Sequence, residues 1–122
     1  MLKDKENKIV ELSMSFAIRV VNLYKFLCDN KKEFVLSKQL LRCGTSIGAN
    51  VNEAQHGQSI ADFGMKMNIS LKEANESKYW IELLYKTDYI TESEYNSLNN
   101  DITEIKKILV AIVKTTFSKR DN

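Results

Sequence analysis

Gln39-Leu40-Leu41-Arg42-Cys43-Gly44-Thr45-Ser46-Ile47-Gly48-Ala49-Asn50, then Glu53-Ala54 and a break at Gly57, is the stretch whose reading decides the fold. Leu36, Leu40, Ile47, Val51 and Ala54 recur at helical steps and mark one apolar side. Gly44 and Gly48, four apart, leave a groove on that helix. Glycine inside a helix costs roughly 1 kcal/mol relative to alanine, so close approach of another backbone is expected to compensate. The opposite side carries Arg42, Ser46, Ala49, Asn50 and Glu53. Gly57 suits the left-handed position that ends a helix. Ser59 with Asp62 three residues on resembles a capping box. A third helix of about 40 Å then follows at 1.5 Å per residue. Its core stripe reads Ile60, Phe63, Met67, Leu71, Ala74, Ile81 and Leu84, flanked by Ile69, Glu73, Glu76, Tyr79, Trp80 and Leu83.

Working outward, the first helix carries two stripes. Ile9, Leu12, Phe16, Val20, Leu23 and Leu27 form one; Met14, Ala17, Ile18, Val21 and Tyr24 form the other. Two stripes exceed what one packing face needs, so either the helix lies deep in a bundle or one stripe faces another subunit. Ser37 is a plausible N-cap for the second helix. Thr91 with Glu94 forms a capping box for the fourth. There Leu98, Ile102, Ile105, Leu109, Ile112 and Thr116 step 4-3-4-3-4, a coiled-coil-like seam. Four long helices over about residues 3–28, 37–56, 60–86 and 92–117, joined by short connections, predict an all-α, up-down-up-down antiparallel four-helix bundle in one domain.

The 122 residues hold no proline and only four glycines, so little interrupts helix formation. A 43% hydrophobic and 28% charged composition suits a globular domain rather than disorder. The net charge of +2 is too small for charge alone to announce nucleic-acid binding. Cys28 and Cys43 match no metal spacing and read as reduced thiols. No apolar signal segment opens the chain, and no run reaches the roughly 18 apolar residues of a membrane span. A cytoplasmic location with no membrane partner is expected.

Glu53-Ala54-Gln55-His56 has the Glu-x-x-His spacing of di-iron bundles, which need two such pairs and two further glutamates. The chain has one histidine, so no metal site is expected, no cofactor is assigned, and a metal-dependent enzyme is the third and least favoured reading. Gly44-Thr45-Ser46-Ile47-Gly48 lacks the lysine of a phosphate loop. Neither cysteine has a base in view, so the chain is not expected to be an enzyme. Arg42, Asn50, Glu53, Glu73, Glu76 and Tyr79 are expected to form a polar network between helices two and three or across a subunit boundary; a ligand or partner site is the other reading. Lys106, Lys107, Lys114, Lys119 and Arg120 lie towards the end of the fourth helix, and Lys31, Lys32 and Lys38 near the first turn. In one subunit these form a solvated face; repeated in an oligomer they are candidates for RNA or DNA binding.

Residues 39–84 closely resemble the four helix bundle protein family, first described from open reading frames in the intervening sequences of bacterial 23S rRNA genes. The resemblance rests on Gln39-Leu40, Arg42, Gly44-Thr45-Ser46-Ile47-Gly48-Ala49-Asn50, Glu53-Ala54, Asp62-Phe63, Lys66, Leu71-Lys72-Glu73-Ala74, Glu76, Tyr79-Trp80 and Leu83-Leu84. It implies a left-handed bundle that assembles as a ring-shaped homopentamer. The chain is also similar to the accessory variability proteins of diversity-generating retroelements, which implies RNA, DNA or a reverse-transcriptase-like protein as partner. The expectation is a non-enzymatic homopentameric scaffold or adaptor working with a nucleic-acid-associated partner, the alternative being direct RNA or DNA binding through a repeated basic surface.

Overall fold

The computed structural model describes the backbone of residues 2–121 and the side chains of residues 3–118. Four helices follow one another: α1 Leu2–Lys31, α2 Leu36–Ala54, α3 Ile60–Lys86 and α4 Glu92–Asp121. The described residues contain no strand. Each helix packs on its neighbours in a closed cycle, α1 with α2, α2 with α3, α3 with α4 and α4 with α1, while among the described residues the backbones of the diagonal pairs stay apart. Pairings run in opposite directions along every seam. Ser13 lies by Gly48 and Val20 by Gly44; Ile47 meets Ser70 and Cys43 meets Ser77. Gly64 lies by Thr116, and Tyr85 stacks on Tyr95 at 4.5 Å. The arrangement is therefore an antiparallel up-down-up-down bundle.

The seam of α4 is buried along its whole length, from Leu98 through Ile102, Ile105, Leu109 and Ile112 to Thr116, whose hydroxyl donates to the Ile112 carbonyl at 2.7 Å. On α1 the stripe of Ile9, Phe16, Val20 and Leu27 is buried. The second stripe is not: Met14 is 62% and Ile18 54% exposed. On α3 the core side is Met67, Ala74, Ile81 and Leu84, with Ser70 and Ser77 fully buried between them. The Ser70 hydroxyl donates to the Ile47 carbonyl at 2.9 Å, so small residues let α2 and α3 approach and satisfy their own polar atoms. Ile60, expected in this core, is 53% exposed because it is the first residue of α3, at the rim of the bundle.

Helix ends differ from expectation in three places. The N-terminus of α2 is held by Glu33 rather than by Ser37. Glu33 is 5% exposed, and its carboxylate accepts the N–H groups of Val35 at 2.9 Å, of Leu36, and of Ser37 at 3.3 Å. The Ser37 hydroxyl turns back to the Glu33 carbonyl at 2.9 Å. A charged acceptor that reaches three orphan donors displaces the hydroxyl that satisfies one. Gly57 does not adopt a positive φ. The left-handed residues are Lys32 (φ 54°), which stops α1 only after Lys31, and Asp88 (φ 68°), which follows α3. At Asp88 the bonds Asp88 N–H to Tyr85 carbonyl and Tyr89 N–H to Leu84 carbonyl form a Schellman motif. Ser59 and Thr91 do cap: the Asp62 N–H donates to Ser59 Oγ at 3.0 Å, and the Thr91–Glu94 box closes in both directions.

Candidate functional site

Arg42 is the centre of a charged cluster on the α2/α3 flank. Its guanidinium pairs with Glu76 and approaches Glu73, both one helical turn apart on α3. Glu76 Oε2 also accepts the indole N–H of Trp80 at 3.0 Å, and Tyr79 meets Trp80 edge to face with ring centres 5.1 Å apart. Glu73 Oε2 lies 3.5 Å from Arg42 Nη1, an ion-pair contact without hydrogen-bond geometry, and no described donor reaches that buried oxygen. Two carboxylates thus share one guanidinium, and one oxygen is short of a donor.

The six residues of the expected network divide. Arg42, Glu73 and Glu76 come together, and Tyr79 joins through its ring alone. Asn50 instead donates to the Ser46 carbonyl at 2.9 Å within its own helix, and Glu53 is exposed. Trp80 lies on the same flanking stripe as Glu73 and Glu76 but is not among the six; its N–H, four residues from Glu76, is the signal that it belongs to the cluster. Beneath the cluster, Cys43 is fully buried beside Ser77, 3.3 Å away, and burial pushes its thiol up to about 11. Such a thiol is not a nucleophile at neutral pH. Glu53 and His56 are both exposed, and no three His, Cys, Asp or Glu side chains among the described residues gather as metal ligands. Among the described residues no helix is long and apolar enough to cross a membrane.

Gly44 and Gly48 face α1. A Cβ on Gly44 would stand 2.9 Å from Val20 Cγ2, and one on Gly48 would stand 3.4 Å from the Ser13 carbonyl oxygen. Above Gly48 an open apolar groove of about 780 Å³ runs between α1 and α2, lined by Val10, Met14, Ala17, Ala49 and Val51 among others. Apolar surface predominates in its walls, with Glu11, Ser15 and Asn52 among its polar members.

Lys106 and Lys107 share a second groove, of about 350 Å³, with Thr103, Val110 and Lys78 from α3; none of its lining residues is acidic. Lys78 lies on another helix, so spacing along α4 does not reveal it. Lys114 is exposed one turn beyond Val110 on the same stripe. The side chains of Lys119 and Arg120 lie outside the described residues. Asp101 and Glu104 of α4 turn the other way and pair with α1, Asp101 with Arg19 at 2.5 Å and Glu104 with Lys8 at 3.0 Å.

A family model described as 23S rRNA-intervening sequence protein matches residues 5–111. The chain is similar to a crystal structure of a protein with unknown function from the S23 ribosomal protein family of Bacteroides thetaiotaomicron. Identity is 60%, the match covers 90% of this chain and 98% of that one, and the TM-score is 0.89. None of the curated proteins matches the chain.

Proposed function

The chain belongs to the 23S rRNA-intervening sequence protein family, and on that premise we propose that it is a non-enzymatic scaffold built from several copies of itself, a ring-shaped homopentamer. The observation that carries this reading is the outward stripe of α1. Val10, Met14 and Ile18 stand in the open, at four-residue spacing, beside the apolar groove over Gly48. A contiguous apolar face on a small bundle is covered by protein more often than by water. Sedimentation velocity at micromolar concentration tests it. A mass several times 14.1 kDa is the expected result. A monomer overturns the proposal.

The partner of such a scaffold is RNA, DNA or a protein that handles them, such as a reverse transcriptase. A second reading, direct RNA or DNA binding, is favoured by the groove that Lys78, Lys106 and Lys107 line without a carboxylate. Repetition around a ring would raise the avidity of each weak patch.

A further inference from the structure

We infer that the open side of the Arg42–Glu73–Glu76 cluster is covered by the outer face of α1 from a second copy, with the two helices parallel. The inference rests on the proposed self-association and names the two surfaces that meet. On α1, Val10, Met14, Ile18 and Lys25 fall on one stripe at steps of four, four and seven. The three apolar residues are exposed, and Lys25 is exposed with no ion pair among the described residues. On α3, Met65, Ile69, Glu76 and Tyr79 fall on one stripe at steps of four, seven and three; Met65 is 59% and Tyr79 58% exposed. Met14 to Lys25 and Met65 to Glu76 are the same eleven residues apart, about 16 Å of helix.

Laid side by side in parallel, the two stripes set methionine against methionine and the Lys25 ammonium against the carboxylates. The cluster holds two carboxylates to one guanidinium, and buried Glu73 Oε2 has no donor. A lysine from outside supplies the missing positive charge at the Glu76 carboxylate, which is partly exposed. Tyr79 and Trp80, beside it, give the packed aromatic surround in which such a contact is sheltered from water.

The topology makes this pairing head-to-tail. Helices α1 and α3 are diagonal in the bundle and run the same way, so one copy offers one face on each flank. Both faces lean towards α2: the α1 stripe shares a groove with Ala49 and Val51, and the α3 carboxylates hold Arg42. The two contact directions are therefore not opposed. Repeating such a contact turns successive copies about an axis, as a ring requires, where opposed faces would give a straight filament.

Complementation of single-face variants tests the pairing. Met14→Glu disables the α1 face and Met65→Glu the α3 face; both sites are exposed, so each variant keeps the wild-type melting temperature within a few degrees. In sedimentation velocity each variant alone is expected to be a monomer, while an equimolar mixture forms a dimer and nothing larger, because only one intact pair of faces remains. A mixture that stays monomeric, or a Met65→Glu variant that assembles like wild type, overturns the inference and leaves the self-association of the wild type standing. A wild type that is itself a monomer removes both.

Discussion

Gly44 on α2 lies against Val20 on α1, so close that a Cβ at position 44 would stand 2.9 Å from one γ-methyl and 3.1 Å from the other. Val20 is buried and stiff at χ1, so it cannot swing aside. Gly48, one turn on, has ordinary contact distance to Ser13. Alanine at the two positions is therefore expected to act with opposite sign. Gly44→Ala should lose about 1–2 kcal/mol, overpacking outweighing better helix propensity. Gly48→Ala should gain about 0.5–1 kcal/mol. Urea denaturation of the two variants checks the pair, and equal changes would reject the packing account.

Glu33 gives a second prediction. Its carboxylate serves the N–H groups of Val35, Leu36 and Ser37, so Glu33→Ala is expected to cost about 2 kcal/mol, at the upper end for a lost cap. Ser37→Ala, which removes a bond to one carbonyl, should cost about 1 kcal/mol or less. Thermal melts in low salt would show the order reversed if Ser37 were the cap.

Glu76 joins Arg42 to Trp80, the one tryptophan of the chain. Because Arg42 is half exposed, Glu76→Ala should cost only about 1 kcal/mol. Its spectroscopic effect is larger, since the indole N–H loses its acceptor and turns to water. A red-shifted emission maximum is the expected readout, and an unshifted one would show that the bond does not hold in solution.

Cys43 sets an alkaline limit. Its thiol is held near 11 in the folded protein against an ordinary value of 9.0. The unfolded chain therefore releases that proton first. The contribution to stability is intact below about pH 9 and is lost as the pH rises towards 11, by roughly 2–3 kcal/mol. Cys43→Ala is expected to flatten this part of the stability curve, and Cys28, partly exposed, should react first with a thiol reagent. A wild-type curve that is level from pH 8 to 11 would contradict the burial of the thiol.

For the basic groove, binding of a labelled RNA is expected to weaken steeply as salt rises from 50 to 200 mM. Charge reversal at Lys106 and Lys107 together should abolish it. Salt-independent binding, or none, would remove the direct-binding reading and leave the scaffold reading untouched.

Periodicity made the bundle legible. Leu98 to Thr116 on α4 and Ile9 to Leu27 on α1 are buried as their spacing requires, since a helix has only one way to turn such a stripe inward. Ends were read less well. The role of Glu33 depends on a long side chain folding back over a turn, and Lys32 and Asp88 reach the left-handed region without being glycine. Nor do Ser70 and Ser77 announce themselves as core: the Ser70 hydroxyl depends on the Ile47 carbonyl, which only the fold brings near, while Ser77 uses the Glu73 carbonyl of its own helix, as an exposed serine also can. In the charged cluster, Arg42, Glu73 and Glu76 follow from helical spacing, whereas Asn50 settles for its own backbone, a choice that spacing cannot reveal.

Helix α4 sends its mid-length acids to α1 and keeps Lys106, Lys107 and Lys114 on its other sides. A formal charge of only +2 thus conceals an electrically lopsided rod. Before contact, within the ~10 Å reach of fields at about 0.1 M salt, a passing polyanion would feel a torque and arrive already oriented. Such pre-alignment would show itself in the speed of encounter, even where the complex formed is short-lived.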